Sequence, residues 1–137
     1  TPLYSSAASD VYKRQGHCLV MPSGAYNRKK GHDFERLCAS QFREAMPGAS
    51  CKRGIQSRGG AADKMPDLQM PVFAPECKRT AQPNIRRAYE QATEACPKGK
   101  IACAITRANG RGQTTLFTLS MEDMLDFISE WHESRSK

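Results

Sequence analysis

Pro66-Asp67-Leu68-Gln69-Met70-Pro71-Val72-Phe73-Ala74-Pro75-Glu76-Cys77-Lys78 is the stretch that decides how this chain folds. Glu76 and Lys78 are two positions apart, so on a strand both side chains leave one face while Cys77 enters the opposite, apolar layer. An acid and an amine then stand side by side. A strand ending at Asp67 next to them brings a second carboxylate to the same place. Hard oxygens grouped in this way suit Mg²⁺, and the chemistry they serve is metal-assisted attack of water on a phosphodiester.

Working outward, Phe34, Leu37, Cys38, Phe42 and Ala45 recur at three- and four-residue intervals, which predicts an amphipathic helix over Asp33 to Ala45, ended by Pro47-Gly48. Glu35 lies beside that stripe. A glutamate there is ordinarily a solvated surface residue, and it gains interest because the downstream acids lack a further partner. Ala49 to Ile55 reads as a strand, followed by a loop around Gly59-Gly60 from which Ser57 and Arg58 could reach a phosphate. Asp67 to Met70 and Val72 to Arg79 read as a strand pair, in which Pro75 demands an edge, a bulge or a late strand start.

Pro83 to Cys96 reads as a second helix, with a small-residue face of Ala88, Ala92 and Ala95 able to approach a sheet closely; Gln91 lies off that face. Lys100 to Thr106 is a continuous apolar run, the pattern of a strand buried on both sides. A turn at Asn109 to Gly112 leads to another strand, Thr114 to Leu119. Ser120 and Asp123 then cap a last helix whose stripe of Met121, Met124, Leu125, Ile128 and Trp131 suits core or dimer packing. Helix, strand, strand, strand, helix, strand, strand, helix is the order, so the expected class is α/β, a mixed sheet with helices against it.

At 137 residues the chain is long enough for one domain with its own core, and it contains no apolar run of membrane-spanning length. A soluble, cytoplasmic protein with no membrane partner is expected. Residues 1 to 20 have no helical or strand period and look like a disordered or non-native tail, with Met21 a plausible start and residues 21–137 the single domain. Pro22 to Lys30 reads as a basic lead-in. A formal net charge of +7 makes a polyanion the expected partner. The excess is concentrated: Arg28, Lys29, Lys30, Arg36, Arg43, Lys52, Arg53 and Arg58 crowd the first half, and Lys78, Arg79, Arg86 and Arg87 form a second group. None of the six cysteines falls in a C-x-x-C pair or at ligand spacing to a histidine, so buried free thiols account for them better than disulfides or zinc.

Lys30-Gly31-His32-Asp33-Phe34-Glu35-Arg36, Pro66-Asp67, Glu76-Cys77-Lys78 and Gln91-Ala92, in this order on alternating helices and strands, resemble the PD-(D/E)XK nuclease superfamily, most closely the archaeal-type Holliday-junction resolvases and their small phage-encoded relatives. The resemblance runs from about Lys29 to Thr106. It implies a restriction-endonuclease-like core, α-β-β-β-α-β, here with an extra strand and a C-terminal helix. It also implies that Asp67 and Glu76 ligate Mg²⁺, with Mn²⁺ as a substitute, helped by the Cys77 carbonyl, while Glu35 binds through water or holds a second ion. Lys78 would orient or activate the attacking water, Gln91 would stand beside it, and Ser57 would be a functional loop serine. Lys29, Lys30, Arg36, Arg53, Ser57, Arg58, Arg79, Arg86 and Arg87 would contact DNA, branched DNA being the expected form, as a homodimer. Between Asp67 and Glu76 this chain is shorter than the family pattern and carries Pro71 and Pro75.

The chemistry agrees on its own terms. A divalent ion held by carboxylates supplies a nucleophile and stabilises charge, and a lysine adds positive charge without titrating, or serves as a base if its pKa is lowered. The alternatives are the same chemistry on flaps, single strands or duplex ends, and a non-catalytic DNA-binding module of the same fold.

Overall fold

The computed structural model describes residues 23–54 and 64–137. The expected tail, the end of the strand at Ile55, and the Gly59-Gly60 loop with Ser57 and Arg58 lie outside the described residues. Helix α1, Gly24–Ala45, starts well before Asp33. Ser23 caps it by accepting the Tyr26 amide at 3.1 Å, and Lys29 pairs with Asp33 one turn on at 2.7 Å. Ala25, Arg28, Lys29 and Lys30 are good helix formers, and turns that stay in solvent need no apolar period. The expected basic lead-in is therefore helical from Gly24 on. Farther along, α1 buries Phe34, Glu35, Cys38 and Ala39, whereas Leu37 and Ala45 of the expected stripe are exposed.

Two short strands follow, β1 at Lys52–Arg53 and β2 at Leu68–Gln69, paired antiparallel with Arg53 opposite Leu68. Strand β3, Phe73–Thr80, does not form the expected hairpin with β2. A three-residue turn, closed by the Phe73 amide donating to the Pro71 carbonyl at 2.8 Å, puts Val72 at φ 71° and swings the chain away. Beyond it, β3 pairs in parallel with β4, Ile101–Ala108, through helix α2, Ile85–Ala95. Strand β5, Leu116–Thr118, runs antiparallel on the far side of β4, and helix α3, Met121–Arg135, ends the chain.

The described residues thus form a mixed α and β fold: three helices, a mixed three-stranded sheet in the order β3-β4-β5, and a two-stranded sheet. The expected buried run is the central strand, with Ala102 through Thr106 all buried. Ala88 and Ala92 of α2 are buried, as the small-residue face requires. Phe34, Cys38 and Ala39 of α1 meet Leu68 and Ile105 in the core, with Phe42 and Cys77 packed against them. Cys77 and Ile105 are register partners, so α1 covers the face of the sheet opposite to the one that carries Glu76 and Lys78. Among the described residues no helix is long and apolar enough to cross a membrane.

Candidate active site

Asp67 is fixed at three points. Its amide donates to the Pro75 carbonyl at 3.0 Å, its carbonyl accepts the Gly54 amide at 2.8 Å, and its Oδ2 accepts the Cys77 amide at 2.8 Å. Pro75 is buried inside β3 rather than at a late start of the strand, and it is tolerated because β3 is an edge of the three-stranded sheet. The amide and carbonyl positions of one strand residue face the same edge. Since the Pro75 carbonyl faces Asp67, its missing N–H costs no bond to β4. Gly54 completes the arrangement: a Cβ there would overlap the Pro66 carbonyl oxygen, so only glycine lets β1 come this close.

Glu76 lies beside Lys78, Oε1 to Nζ at 3.4 Å, with the acid mostly buried and the amine 40 % exposed. Glu35, from α1, receives Arg53 Nε of β1 at 3.3 Å. Burial, and next the charge on Glu35 working against the Cys77 amide, push the Asp67 carboxyl up to about 6. Glu76 is raised by burial and by Asp67, with Lys78 opposing, and Glu35 is raised by burial against the pull of Arg53, with Glu76 adding to the rise. Each of these three acids feels the charge of another. The structure therefore brings together Glu35, Asp67, Glu76 and Lys78, and adds Arg53.

Among the described residues no three acids, imidazoles or thiols stand close enough to enclose a metal ion. Mg²⁺ is ordinarily held by one or two carboxylates and keeps several waters, so Asp67 and Glu76 are a sufficient pair, and carboxylates with raised proton affinity are groups that a cation relieves. The residues fit such an ion. The Cys77 carbonyl shares an edge of β3 with the amide that Asp67 accepts, consistent with a role as a third oxygen. Its thiol faces Cys38, whose sulfur together with burial pushes the Cys77 thiol up, so it stays protonated and is no nucleophile. Gln91 is half-buried, and its Oε1, shielded from solvent, accepts no hydrogen bond among the described residues.

The basic residues divide. Lys29 and Arg36 both bind Asp33, at 2.7 and 3.1 Å, and Arg87 bridges Glu90 and Glu94. Lys30 reaches the Asn109 side chain, and Arg79 is half-buried on β3 with its Nε unpartnered. Arg86 lines a cavity with Ile85 and Tyr89 at the start of α2. Arg43 and Lys52 belong to the basic crowd of the first half but carry no role in the sequence motifs. In the fold they join Arg36, Arg53 and Ala39 around a groove of about 420 Å³. The seven-residue spacing of Lys29, Arg36 and Arg43 is the signal that points to Arg43, while Lys52 carries no such signal.

No family model matches the chain, and neither a curated protein nor a solved structure does.

Proposed function

We propose that the chain is a divalent-metal-dependent DNA endonuclease of the PD-(D/E)XK type, with a restriction-endonuclease-like core and branched DNA, a four-way junction foremost, as its substrate. The observation that supports it is the convergence of Asp67, Glu76 and Glu35 with Lys78, reached through three separate backbone segments. Asp67 and Glu76 would hold Mg²⁺ or Mn²⁺, with the Cys77 carbonyl, and Glu35 would act through water. When bound, the ion supplies Lewis-acid polarisation of the phosphoryl oxygen and a more acidic water. Lys78, half-exposed and tethered to Glu76, places an ammonium where negative charge develops on the phosphate, and that charge is worth most in a site shielded from water. Asp67 loses its proton only as pH climbs toward and past about 6, so cation binding and turnover rise over the same interval.

The test is nicking of a labelled four-way junction, compared with a flap and a duplex of equal length, in Mg²⁺ and in Ca²⁺. Symmetric paired nicks in Mg²⁺ and binding without cleavage in Ca²⁺ are expected. Asp67→Ala and Glu76→Ala should each lower nicking by at least about 100-fold, the range seen when one group stabilising the transition state is removed, while binding stays within threefold. Nicking that survives both substitutions places the chemistry elsewhere, and binding without any nicking under Mg²⁺ or Mn²⁺ leaves a DNA-binding module.

A further inference from the structure

The groove between α1 and β1 is lined by four cations, Arg36, Arg43, Lys52 and Arg53, around the small side chain of Ala39. No acid lines it. Ala39 is buried, and it lies three residues after Arg36 and four before Arg43, so the two guanidinium groups flank a dent in the helix surface. Arg43 is held in place by donating to the Cys51 carbonyl, and Lys52 makes no ion pair among the described residues. Arg36 and Arg53 are each paired with an acid outside the groove, Asp33 and Glu35, which leaves Arg43 and Lys52 as the two groove charges without an acidic partner among the described residues, and an anion seated there relieves their mutual repulsion. His32 registers the same field: its proton affinity is lowered by burial first, then by the charges of Arg53 and Arg36. Beyond the groove the line continues, because Lys29, Arg36 and Arg43 recur every seven residues and so share one stripe of α1 about 20 Å long.

We infer that this groove seats the phosphodiester backbone of a nucleic acid and delivers it to the carboxylates. The inference rests on the nuclease reading for what happens next, but not for the binding itself. Arg53 links the two places: it lines the groove and also holds Glu35 at 3.3 Å. A strand running along α1 would pass from Arg43 and Lys52 to Arg53, and from there to the acids. The stripe covers roughly six nucleotides of one duplex strand at about 3.4 Å of axial rise each. The contacts go to phosphates, so they position the strand and carry no sequence preference.

The experiment measures binding of a labelled four-way junction and of a duplex in Ca²⁺ across a salt series, for the wild type, Lys52→Gln, Arg43→Gln and the charge-matched control Lys98→Gln. Removing one phosphate contact should reduce the slope of log K against log salt by about one and weaken binding several-fold at low salt, for Lys52→Gln and Arg43→Gln on both DNAs, with the control unchanged. Lys52 is exposed and its side chain makes no hydrogen bond or ion pair among the described residues, so its variant stays informative if Arg43→Gln loosens the fold. Slopes and affinities equal to the wild type in both variants, or equal losses in Lys98→Gln, overturn the inference, as does a wild type that binds no DNA. Absence of nicking in Mg²⁺ with the slope changes intact would remove the nuclease reading and leave the groove.

Discussion

Asp67 shows how burial of a single carboxyl can come at the expense of stability. Its carboxyl ionises in the unfolded chain near 3.8 but in the fold only at about 6, chiefly because it is buried. The folded state thus holds the proton more tightly than the unfolded state, so the contribution to stability is fully present below 3.8 and is lost as pH rises through about 6. Above that the ionised group costs roughly 3 kcal/mol, at about 1.4 kcal/mol for each pH unit. Asp67→Asn keeps an oxygen for the Cys77 amide and removes the charge. It should therefore raise stability at pH 8 by about 2 kcal/mol and hardly change it at pH 4, as read from urea midpoints. Mg²⁺ should raise the wild-type midpoint at pH 8 and leave the variant unmoved. A variant less stable than the wild type at pH 8 would show that the charge is not the cost. At this scale the sequence is legible: a strand period of two puts Glu76 and Lys78 on one face and Cys77 on the other, and register pairing of Cys77 with Ile105 bears that out.

Elements are legible only where their own residues decide them. The apolar run of β4 and the alanine face of α2 declare themselves because burial selects their composition, and the Ser120 cap accepts the Asp123 amide at 3.1 Å as its spacing implies. Partnership is different. That β3 pairs with β4 rather than β2 depends on the tight turn at Val72 and on tertiary contacts, and no local pattern carries it. The early start of α1 went unsignalled because its first turns are held by a cap and charge pairs instead of an apolar stripe. Gly54 is invisible for the same reason. It has no motif, yet it governs how closely β1 approaches the turn that carries Asp67. In Gly54→Ala the new methyl meets the Pro66 carbonyl, so either the β1–β2 pair separates or Asp67 shifts. A loss of about 1–3 kcal/mol, the usual cost of overpacking, should accompany a drop in Mg²⁺-dependent nicking of at least tenfold, with DNA affinity kept. Unchanged nicking would mean that Asp67 does not need this support.

For the whole molecule, α3 is the helix that the described fold covers least. None of its residues is buried; it is anchored by Phe127 stacking on Phe73 at 5.2 Å, with Phe117 against Phe73 at 5.1 Å. The apolar stripe that suited either core or dimer packing is therefore not core. Met121 is 73 % exposed, Leu125 56 %, Ile128 51 % and Trp131 58 %, and Phe117 extends the surface onto the edge strand β5. At about 200 Å² for a large side chain, half-exposed residues in this number present on the order of 550 Å² of apolar surface. That is at the upper end of what a monomer ordinarily leaves open and short of the roughly 800 Å² per partner of a stable complex, which the rim around it would have to complete. Under the proposed junction nicking a second copy is the expected occupant, since paired nicks across a two-fold junction require two sites in fixed relation. Sedimentation at micromolar concentration should give a dimer for the wild type and a monomer for the double variant Leu125→Glu, Trp131→Glu. Because these exposed side chains contribute little to the fold of one copy, the variant should keep its secondary structure, and the junction should then receive single, uncoupled nicks in place of pairs. A wild type that sediments as a monomer would mean that this face serves another purpose.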